Sequence, residues 1–152
     1  MESGEFGSRE GLPMLTGQYA HTLDAKGRVN FPARLREELG PRFFITRGLD
    51  NCLFVYSPEE WQALADKLSK LPMSKSTPLS RFFFAGAAEV EPDKQGRILI
   101  PEHLRKYAGL EKEITIAGVS SRAEIWDTAR WEANNLLLTP EAIAEAMDEM
   151  GF

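Results

Sequence analysis

The chain has 152 residues, a length that fits one compact domain or two small ones and excludes a large catalytic scaffold. Its single cysteine, Cys52, excludes an intramolecular disulfide and a cysteine-based zinc site. The formal net charge of −5 argues at first against a nucleic-acid binder. No apolar run approaches the roughly 20 residues that span a bilayer, so we expect a soluble cytoplasmic protein. We interpret residues 1–13 (MESGEFGSREGLP), which lack an apolar pattern, as an expression-tag remnant.

Residues 14–70 are predicted to form a first half-domain that begins with a strand, a turn and a short helix. The segment LTGQYAHTL is rich in aromatic and aliphatic residues, which favours the strand. The following AKG turn predicts a hairpin tip, in which Gly27 takes a positive φ and Asp24 bonds to backbone amides. Pro32 suits the start of a helix that ends at Gly40.

The first half-domain continues with a hairpin and a longer helix. FFITR and CLFVY, separated by a Gly-Leu-Asp-Asn turn, predict two paired strands. Ser57-Pro58-Glu59-Glu60 is a capping box that opens an amphipathic helix to about Lys70. Its stripe of Trp61, Leu64, Leu68 and Leu71 indicates packing on the sheet. Residues 71–80 (LPMSKSTPLS), rich in proline, serine and threonine, are interpreted as a connector.

The first half-domain returns in residues 81–138. DAKGRVNFPARLR recurs as DKQGRILIPEHLR at one constant offset, which chance does not plausibly produce. The pairs are Asp24 and Asp93, Gly27 and Gly96, Arg28 and Arg97, Pro32 and Pro101, Leu35 and Leu104, and Arg36 and Arg105. After a slip of one residue the match continues through Gly48 and Gly118, Val55 and Ile125, Tyr56 and Trp126, and Trp61 and Trp131.

The second copy is predicted to contain the same elements in the same order. FFFAGAAEVE predicts its first strand, with RFFFAG packing into the core on one face and against another subunit on the other. EITIAG and AEIW predict its hairpin, and Asp127 is predicted to cap its helix. Trp131, like Trp61, is expected to anchor its helix on the sheet. Residues 139–152 are predicted to form an acidic C-terminal helix that begins at Thr139-Pro140.

Charge is distributed unevenly along the chain. Between Asp24 and Arg47 there are six bases and three acids, whereas residues 132–152 contain five acids and no base. The bases are Lys26, Arg28, Arg34, Arg36, Arg42 and Arg47. A basic centre fits nucleic-acid binding despite the negative net charge, although an ordinary solvated surface has the same pattern.

Four segments of the chain carry a specific family resemblance. They are MLTGQYAHTLDAKGRVNFPARLREELG, TRGLDNCLFVYSPEEW, RFFFAGAAEVEPDKQGRILIPEHLRKYAGLEKE and GVSSRAEIWDTARWE. Through them, Met14 to about Glu132 resembles the MraZ family, bacterial transcription regulators with two AbrB-like swapped-hairpin half-domains. Both copies of the family's Asp-x-x-x-Arg element are intact, at Asp24–Arg28 and Asp93–Arg97.

The resemblance implies both a fold and a function. The fold is α+β and β-rich: two tandem half-domains interlock into one β-barrel unit with flanking helices, and chains assemble into a ring. The implied function is sequence-specific binding of double-stranded DNA, repressing the promoter of the cell-division and cell-wall gene cluster that the regulator's own gene opens. A ring that binds on one face predicts short direct repeats in the target.

Four basic residues of the two turns are the candidate DNA contacts. Arg28 and Arg97 are expected to bond to guanine edges, and Lys26 and Lys94 to contact phosphates. The turn-shaping residues are Asp24, Gly27, Asp93 and Gly96. The alternative is that each Asp–Arg pair only closes a hairpin. Arg36 and Arg105 also repeat, but a helical position fits a solvated face or a core-covering stem better than DNA contact.

Other functional classes have less support from the sequence. His21, in a strand, and His103, in a helix, are not equivalent in the two copies and have no metal-ligand spacing. Cys52 lacks a nucleophile signature and is expected to be a small buried side chain. We therefore predict no enzyme, cofactor, metal or small-molecule substrate. An RNA- or single-strand-binding module and a structural or antitoxin-like oligomer stay as alternatives.

Overall fold

The computed structural model describes residues 14–151, so the predicted tag remnant, residues 1–13, lies outside the described residues. The strands are β1 (Gln18–Thr22), β2 (Arg28–Asn30), β3 (Phe43–Arg47), β4 (Leu53–Tyr56), β5 (Ala88–Val90), β6 (Arg97–Leu99), β7 (Glu113–Gly118) and β8 (Ala123–Asp127). The helices are α1 (Ala33–Leu39), α2 (Pro58–Ser69), α3 (Met73–Ser80), α4 (Glu102–Ala108), α5 (Thr128–Asn135) and α6 (Pro140–Glu149). Within residues 14–151 no helix is long and apolar enough to cross a membrane.

The predicted helix boundaries in the first half-domain are confirmed. Helix α1 follows Pro32 and ends at Gly40, whose φ of 94° places it in a region that favours glycine. The Gly40 N–H donates to the Arg36 carbonyl at 2.9 Å. Helix α2 is capped by Ser57, whose Oγ accepts a hydrogen bond from the Glu60 N–H at 3.2 Å.

Strands from both half-domains form one six-stranded antiparallel sheet. Its order is β1-β7-β8-β4-β3-β5, so the first strand of each half-domain pairs with a strand of the other. Replacing each strand by its match in the other half-domain gives the same order in reverse. The two halves are therefore interlocked about a pseudo-twofold axis, and the expected α+β fold with two interlocked repeats is confirmed.

Strands β2 and β6 form a separate antiparallel ribbon, again with one strand from each half-domain. Each predicted turn closes locally, since the Asp24 N–H donates to the Arg28 carbonyl at 2.9 Å and the Asp93 N–H to the Arg97 carbonyl at 2.8 Å. The strands on either side of each turn then separate into different sheets. One chain thus adopts a swapped arrangement that joins its two turns through a single ribbon.

The six-stranded sheet and the β2–β6 ribbon share one hydrophobic core. Buried side chains from both half-domains fill it, among them Phe31, Phe43, Ile45, Ile98, Ile100, Leu104 and Ile116. A second cluster lies between the opposite side of the sheet and the helices. It contains Cys52, Phe54, Tyr56 and Trp126, with Trp61, Phe83 and Trp131 packed against them.

One sequence prediction next to the connector is wrong, namely the strand expected to begin at Phe82. Residues 71–80 contain a helix, α3, and the strand expected from FFFAGAAEVE begins only at Ala88 because Arg81–Ala85 continue as a π-helical segment. The carbonyl of Phe83 accepts from Thr46 Oγ1, and that of Phe82 from Arg47 Nε at 3.1 Å. Tertiary contacts therefore satisfy this backbone, which overrides the strand propensity of three adjacent aromatics.

The aromatic rings of this segment pack inside the chain. Phe84 lies edge-on to Trp61 at 4.5 Å, and Phe83 stacks on Phe54 at 6.5 Å between ring centroids. Trp61 also stacks on Phe44 of β3 at 5.1 Å. Trp61 thus anchors α2 on the sheet, as predicted.

Asp127 does not cap α5 as predicted. It occupies the residue before the helix, but no cap hydrogen bond forms, and its Oδ1 accepts from the Glu111 N–H at 3.1 Å. The carboxylate thus joins the start of α5 to the loop before β7. Trp131 of α5 packs on Trp126 at 5.6 Å, which confirms the predicted anchor of this helix on the sheet.

Candidate nucleic-acid interface

The turn between β1 and β2 is organised by the carboxylate of Asp24. Its Oδ1 accepts from the backbone N–H groups of Lys26 at 2.9 Å and Arg28 at 2.8 Å, and its Oδ2 accepts from Arg28 Nε at 2.8 Å. Gly27 closes the turn with a φ of 85°, a conformation that a side chain disfavours. One acidic side chain therefore fixes both the backbone of the turn and the direction of Arg28.

The turn before β6 repeats this geometry. Asp93 Oδ1 accepts from the N–H groups of Gln95 and Arg97, both at 2.9 Å, and its Oδ2 accepts from Arg97 Nε at 2.9 Å. Gly96 has a φ of 82°. The sequence repeat thus corresponds to two turns with the same hydrogen bonds, each of which presents an arginine.

Hydrogen bonding lowers the pKa of both carboxyl groups. The backbone N–H of Arg28 lowers the pKa of Asp24 most, and that of Arg97 does the same for Asp93, followed by the side-chain bonds and the neighbouring positive charge. Burial acts in the opposite direction and is outweighed. A carboxylate whose pKa is lowered is held ionised, which suits a structural anion and not a general acid at neutral pH.

Each turn arginine uses only part of its hydrogen-bonding capacity. Among residues 14–151 the guanidinium of Arg28 bonds through Nε alone, to Asp24, and that of Arg97 through Nε alone, to Asp93. Their side chains are 32% and 30% exposed. The ion pairs that the sequence offered as an alternative therefore do form, and they leave both Nη groups of each arginine available to a ligand.

The β2–β6 ribbon places the two arginines on neighbouring strands. Arg28 lies opposite Leu99, and Arg97 lies opposite Asn30. From standard strand geometry, their Cα atoms are about 8 Å apart. Lys26 and Lys94 lie at the tips of the same turns, where both are exposed and neither forms an ion pair within the described residues. The structure thus places the two arginines on one ribbon and the two lysines in the turns that lead into it.

Arg36 and Arg105 lie behind the turns. A Cβ atom added to Gly96 would come within 2.9 Å of Arg36 Nη2, and one added to Gly27 would overlap the guanidinium of Arg105. Each helix arginine therefore packs on the turn glycine of the other half-domain. Arg36 Nε donates to the Phe31 carbonyl at 3.0 Å, and Arg105 Nε is buried without a partner in the described chain. This position fits a support for the turn better than a base contact.

The remaining reactive side chains are scattered. His21 lies in β1, and the exposed His103 lies in α4 with its Nε2 at 2.8 Å from the Gly86 carbonyl. Cys52 is buried, as predicted, and burial raises the pKa of its thiol well above the ordinary value. Within residues 14–151 no three His, Cys, Asp or Glu side chains cluster as a metal site would require.

Sequence reasoning identified the turns but missed what joins them. The pairing of β2 with β6 leaves no local sequence signal, since it links segments from different half-domains. It is fixed further by two backbone bonds of 2.9 Å, from the Phe31 N–H to the Gly96 carbonyl and from the Ile100 N–H to the Gly27 carbonyl. The constant offset of the repeat was the signal that could have suggested a symmetric pair.

A family model and several similar proteins assign this chain to the same family. The family model described as "MraZ protein, putative antitoxin-like" matches residues 14–79 and 83–137. The chain is 55% identical over 143 residues to the transcriptional regulator MraZ of Acetivibrio thermocellus, covering 91% of this chain and 100% of that protein. The proteins of the same name from Thermoanaerobacter pseudethanolicus and Caldicellulosiruptor bescii are 56% and 53% identical over the same shares. The resemblance noted in the sequence is thereby confirmed, and the chain belongs to the MraZ family.

Proposed function

We propose that this protein is a transcription regulator that binds double-stranded DNA through the two turns of the β2–β6 ribbon. The observation that carries the proposal is the pair of equivalent turns, in which Asp24 and Asp93 hold Arg28 and Arg97 by Nε. The names of the 53–56% identical relatives support the regulatory role. We expect no catalytic activity and a nucleoid-associated protein in the cytoplasm.

The geometry of the turns suits base recognition in the major groove. A two-stranded ribbon fits this groove, and an arginine can donate two hydrogen bonds to guanine O6 and N7. Since Nε is already fixed by a carboxylate, less side-chain freedom is lost when Nη1 and Nη2 bind. Lys26 and Lys94 are exposed at the tips of the turns, and we expect them to contact phosphates on either side.

We further propose that several copies bind together, since one ribbon offers few contacts and linked copies act at high effective concentration. The resemblance to MraZ proteins favours a ring that binds short direct repeats ahead of the protein's own gene, in the cell-division and cell-wall gene cluster, as a repressor. Protection of a palindrome alone in a footprint would argue against direct repeats.

Helix α6 is the surface that we propose for this assembly. All its residues are exposed. Ile143, Met147 and, directly after the helix, Met150 recur at helical spacing on one face, and the other face is acidic. In contrast, residues 67–88 contain four exposed bases and no acid, next to exposed Leu71 and Met73. We infer that α6 of one copy packs on this basic segment of the next, a head-to-tail contact that can close a ring.

The assembly surface is tested by light scattering coupled to size-exclusion chromatography. Ile143→Asp/Met147→Asp is expected to lower the molar mass, because it adds two charges to the apolar face of α6. Ala129→Asp/Ala133→Asp adds the same charges to exposed positions of α5 and is the matched control. An equal mass for all three proteins would rule out α6 as the contact.

DNA binding is tested by fluorescence anisotropy on duplex DNA from the promoter ahead of the protein's own gene, at several salt concentrations. Wild-type binding is expected to weaken steeply with salt as counterions are released. Arg28→Ala/Arg97→Ala is expected to raise Kd by roughly 30-fold or more, since each arginine–guanine pair contributes about 1–3 kcal/mol. Arg42→Ala/Arg130→Ala removes the same charge at exposed positions outside the turns.

The two double variants separate specific contacts from general electrostatics. Equal losses in both would show that charge alone drives binding, and no binding by wild type would favour a structural or antitoxin-like oligomer. Competition by single-stranded DNA or RNA at the same concentration as duplex would favour a single-strand-binding module.

A further inference from the structure

The ribbon has one buried face and one exposed face. Val29 lies opposite Ile98, and both are 1% exposed in the core. Side chains alternate between faces along a strand, and directly opposed residues share a face. The pairs on either side, Arg28 with Leu99 and Asn30 with Arg97, therefore point away from the core.

The exposed face carries an apolar residue that the core does not explain. Leu99 is 57% exposed although it lies directly opposite Arg28. Its match in the other half-domain is Asn30, which is also exposed. The two turns agree at aspartate, glycine and arginine, so the pseudo-twofold symmetry of this face is broken at Asn30 and Leu99.

These two side chains have different preferences for base edges. In the major groove an asparagine amide pairs with adenine N6 and N7, whereas an apolar side chain contacts the 5-methyl group of thymine. The two arginines are about 8 Å apart, or roughly two base-pair steps of 3.4 Å. Asn30 and Leu99 lie within the same span, so they can reach bases next to those that the arginines contact.

We infer that Asn30 and Leu99 are further specificity-determining residues, with Asn30 selecting adenine and Leu99 selecting thymine beside the arginine-bound guanines. The inference rests on the proposed DNA binding by the ribbon. One chain then recognises an asymmetric sequence, because Arg97 acts with Asn30 and Arg28 acts with Leu99. Each chain has a defined direction on the DNA, which suits direct repeats better than a palindrome.

The test measures base preference and not affinity alone. Kd is measured for promoter duplexes carrying every single base-pair substitution and for duplexes with deoxyuridine in place of each thymidine, which removes only the methyl group. Asn30→Ala is expected to lose about 10-fold of preference for adenine at one position. Leu99→Ala is expected to lose a preference of about fourfold for thymine over uracil at another position.

Three further proteins complete the experiment. Asn135→Ala and Leu137→Ala change the same residue types outside the ribbon and are expected to keep the wild-type profile. Asn30→Leu/Leu99→Asn exchanges the two side chains and is expected to prefer the operator in which the adenine and thymine positions are exchanged. Thermal unfolding is expected to be unchanged for the Asn30 and Leu99 variants, since both positions are exposed.

The outcomes separate this inference from the proposed function. If wild type binds specifically and the Asn30 and Leu99 variants keep its base profile, the inference is overturned while DNA binding stands. A uniform loss over all sequences would also overturn it, because it indicates phosphate contact. If wild type does not bind the duplex, both the inference and the proposed function fail.

Discussion

Asp24 and Asp93 are the residues on which both turns depend. Each carboxylate accepts two backbone N–H groups and one arginine Nε, so it fixes the loop and aims the arginine together. A neutral side chain at either position would accept weaker hydrogen bonds, because hydrogen bonds to an ionised acceptor are stronger than those to a neutral one.

The lowered pKa values of these carboxyl groups predict acid sensitivity. A group whose pKa is lower in the folded than in the unfolded state contributes stability above its unfolded pKa, and this stability is lost as pH falls through the folded pKa. The free energy of unfolding of the wild type should therefore begin to decrease when the pH falls to just above 3.8, the ordinary pKa of aspartate, and should decrease further at lower pH. Asp24→Asn/Asp93→Asn should be less stable than wild type at pH 7, with the difference shrinking towards pH 2.5.

Urea unfolding at pH 7, 4 and 2.5 measures this effect. Asp66→Asn changes an exposed aspartate outside the turns and is the control. A wild-type-to-variant difference that stays constant over this range would contradict the prediction.

Gly118, which matches Gly48 in the repeat, has no room for a side chain. A Cβ atom there would lie 2.5 Å from the backbone nitrogen of Thr16 and 2.6 Å from the carbonyl carbon of Leu15. Because those atoms belong to the backbone, Gly118→Ala should force a shift and destabilise the fold by about 1–3 kcal/mol. Chemical denaturation measures the change, and a loss below about 0.5 kcal/mol would be inconsistent with this contact.

At the scale of elements, two helices have the same kind of N-terminal cap but differ in how they pack on the rest of the protein. Ser57 caps α2 and Thr139 caps α6 with the same type of bond, to the N–H groups of Glu60 and Ala142 at 3.2 and 3.1 Å. Helix α2 packs through Trp61 and Leu68, whereas all of α6 is exposed. The cap bond of α2 should therefore contribute to the free energy of global unfolding, whereas the cap bond of α6 should stabilise only that helix.

Ser57→Ala is expected to lower the free energy of unfolding by about 1 kcal/mol, the usual contribution of a side-chain cap. Thr139→Ala should leave global unfolding of the protomer unchanged, because α6 can unfold without opening the core. Urea denaturation, with α6 dissociated from any neighbouring copy by Ile143→Asp/Met147→Asp, compares the two. Equal losses would show that α6 belongs to the cooperative core.

At the scale of the whole molecule, strand pairing between the half-domains holds them together. Strands β1 and β5 each pair with the other half-domain, and the ribbon contains one strand from each. Neither half has its complete sheet alone. We therefore expect one cooperative transition instead of two.

Tryptophan variants test this cooperativity. Trp61 reports on the first half-domain, and Trp126 and Trp131 report on the second. The two variants are Trp61→Phe and Trp126→Phe/Trp131→Phe. In each of them, the fluorescence of the remaining tryptophans and the far-UV circular dichroism should have the same urea midpoint. Separate midpoints for fluorescence and circular dichroism in the same variant would show that the halves unfold independently.

The sequence by itself determined the half-domain, its repetition and most of its elements. Local rules were sufficient at Asp24-Gly27-Arg28, at Pro32 to Gly40 and at the Ser57 cap, because the bonds that form there join residues close in the chain. The same rules failed at Arg81–Ala85 and at Asp127, where distant partners, Thr46 and Glu111, satisfy the polar groups instead.

Only the tertiary structure decided how the candidate site is assembled. The pairing of β2 with β6 sets Arg28 near Arg97, places Arg36 and Arg105 behind the turns and exposes Asn30 and Leu99 on one face. These contacts join segments far apart in the chain, so neither propensity nor periodicity encodes them directly. They follow from burying Val29 and Ile98 in a core to which both half-domains contribute.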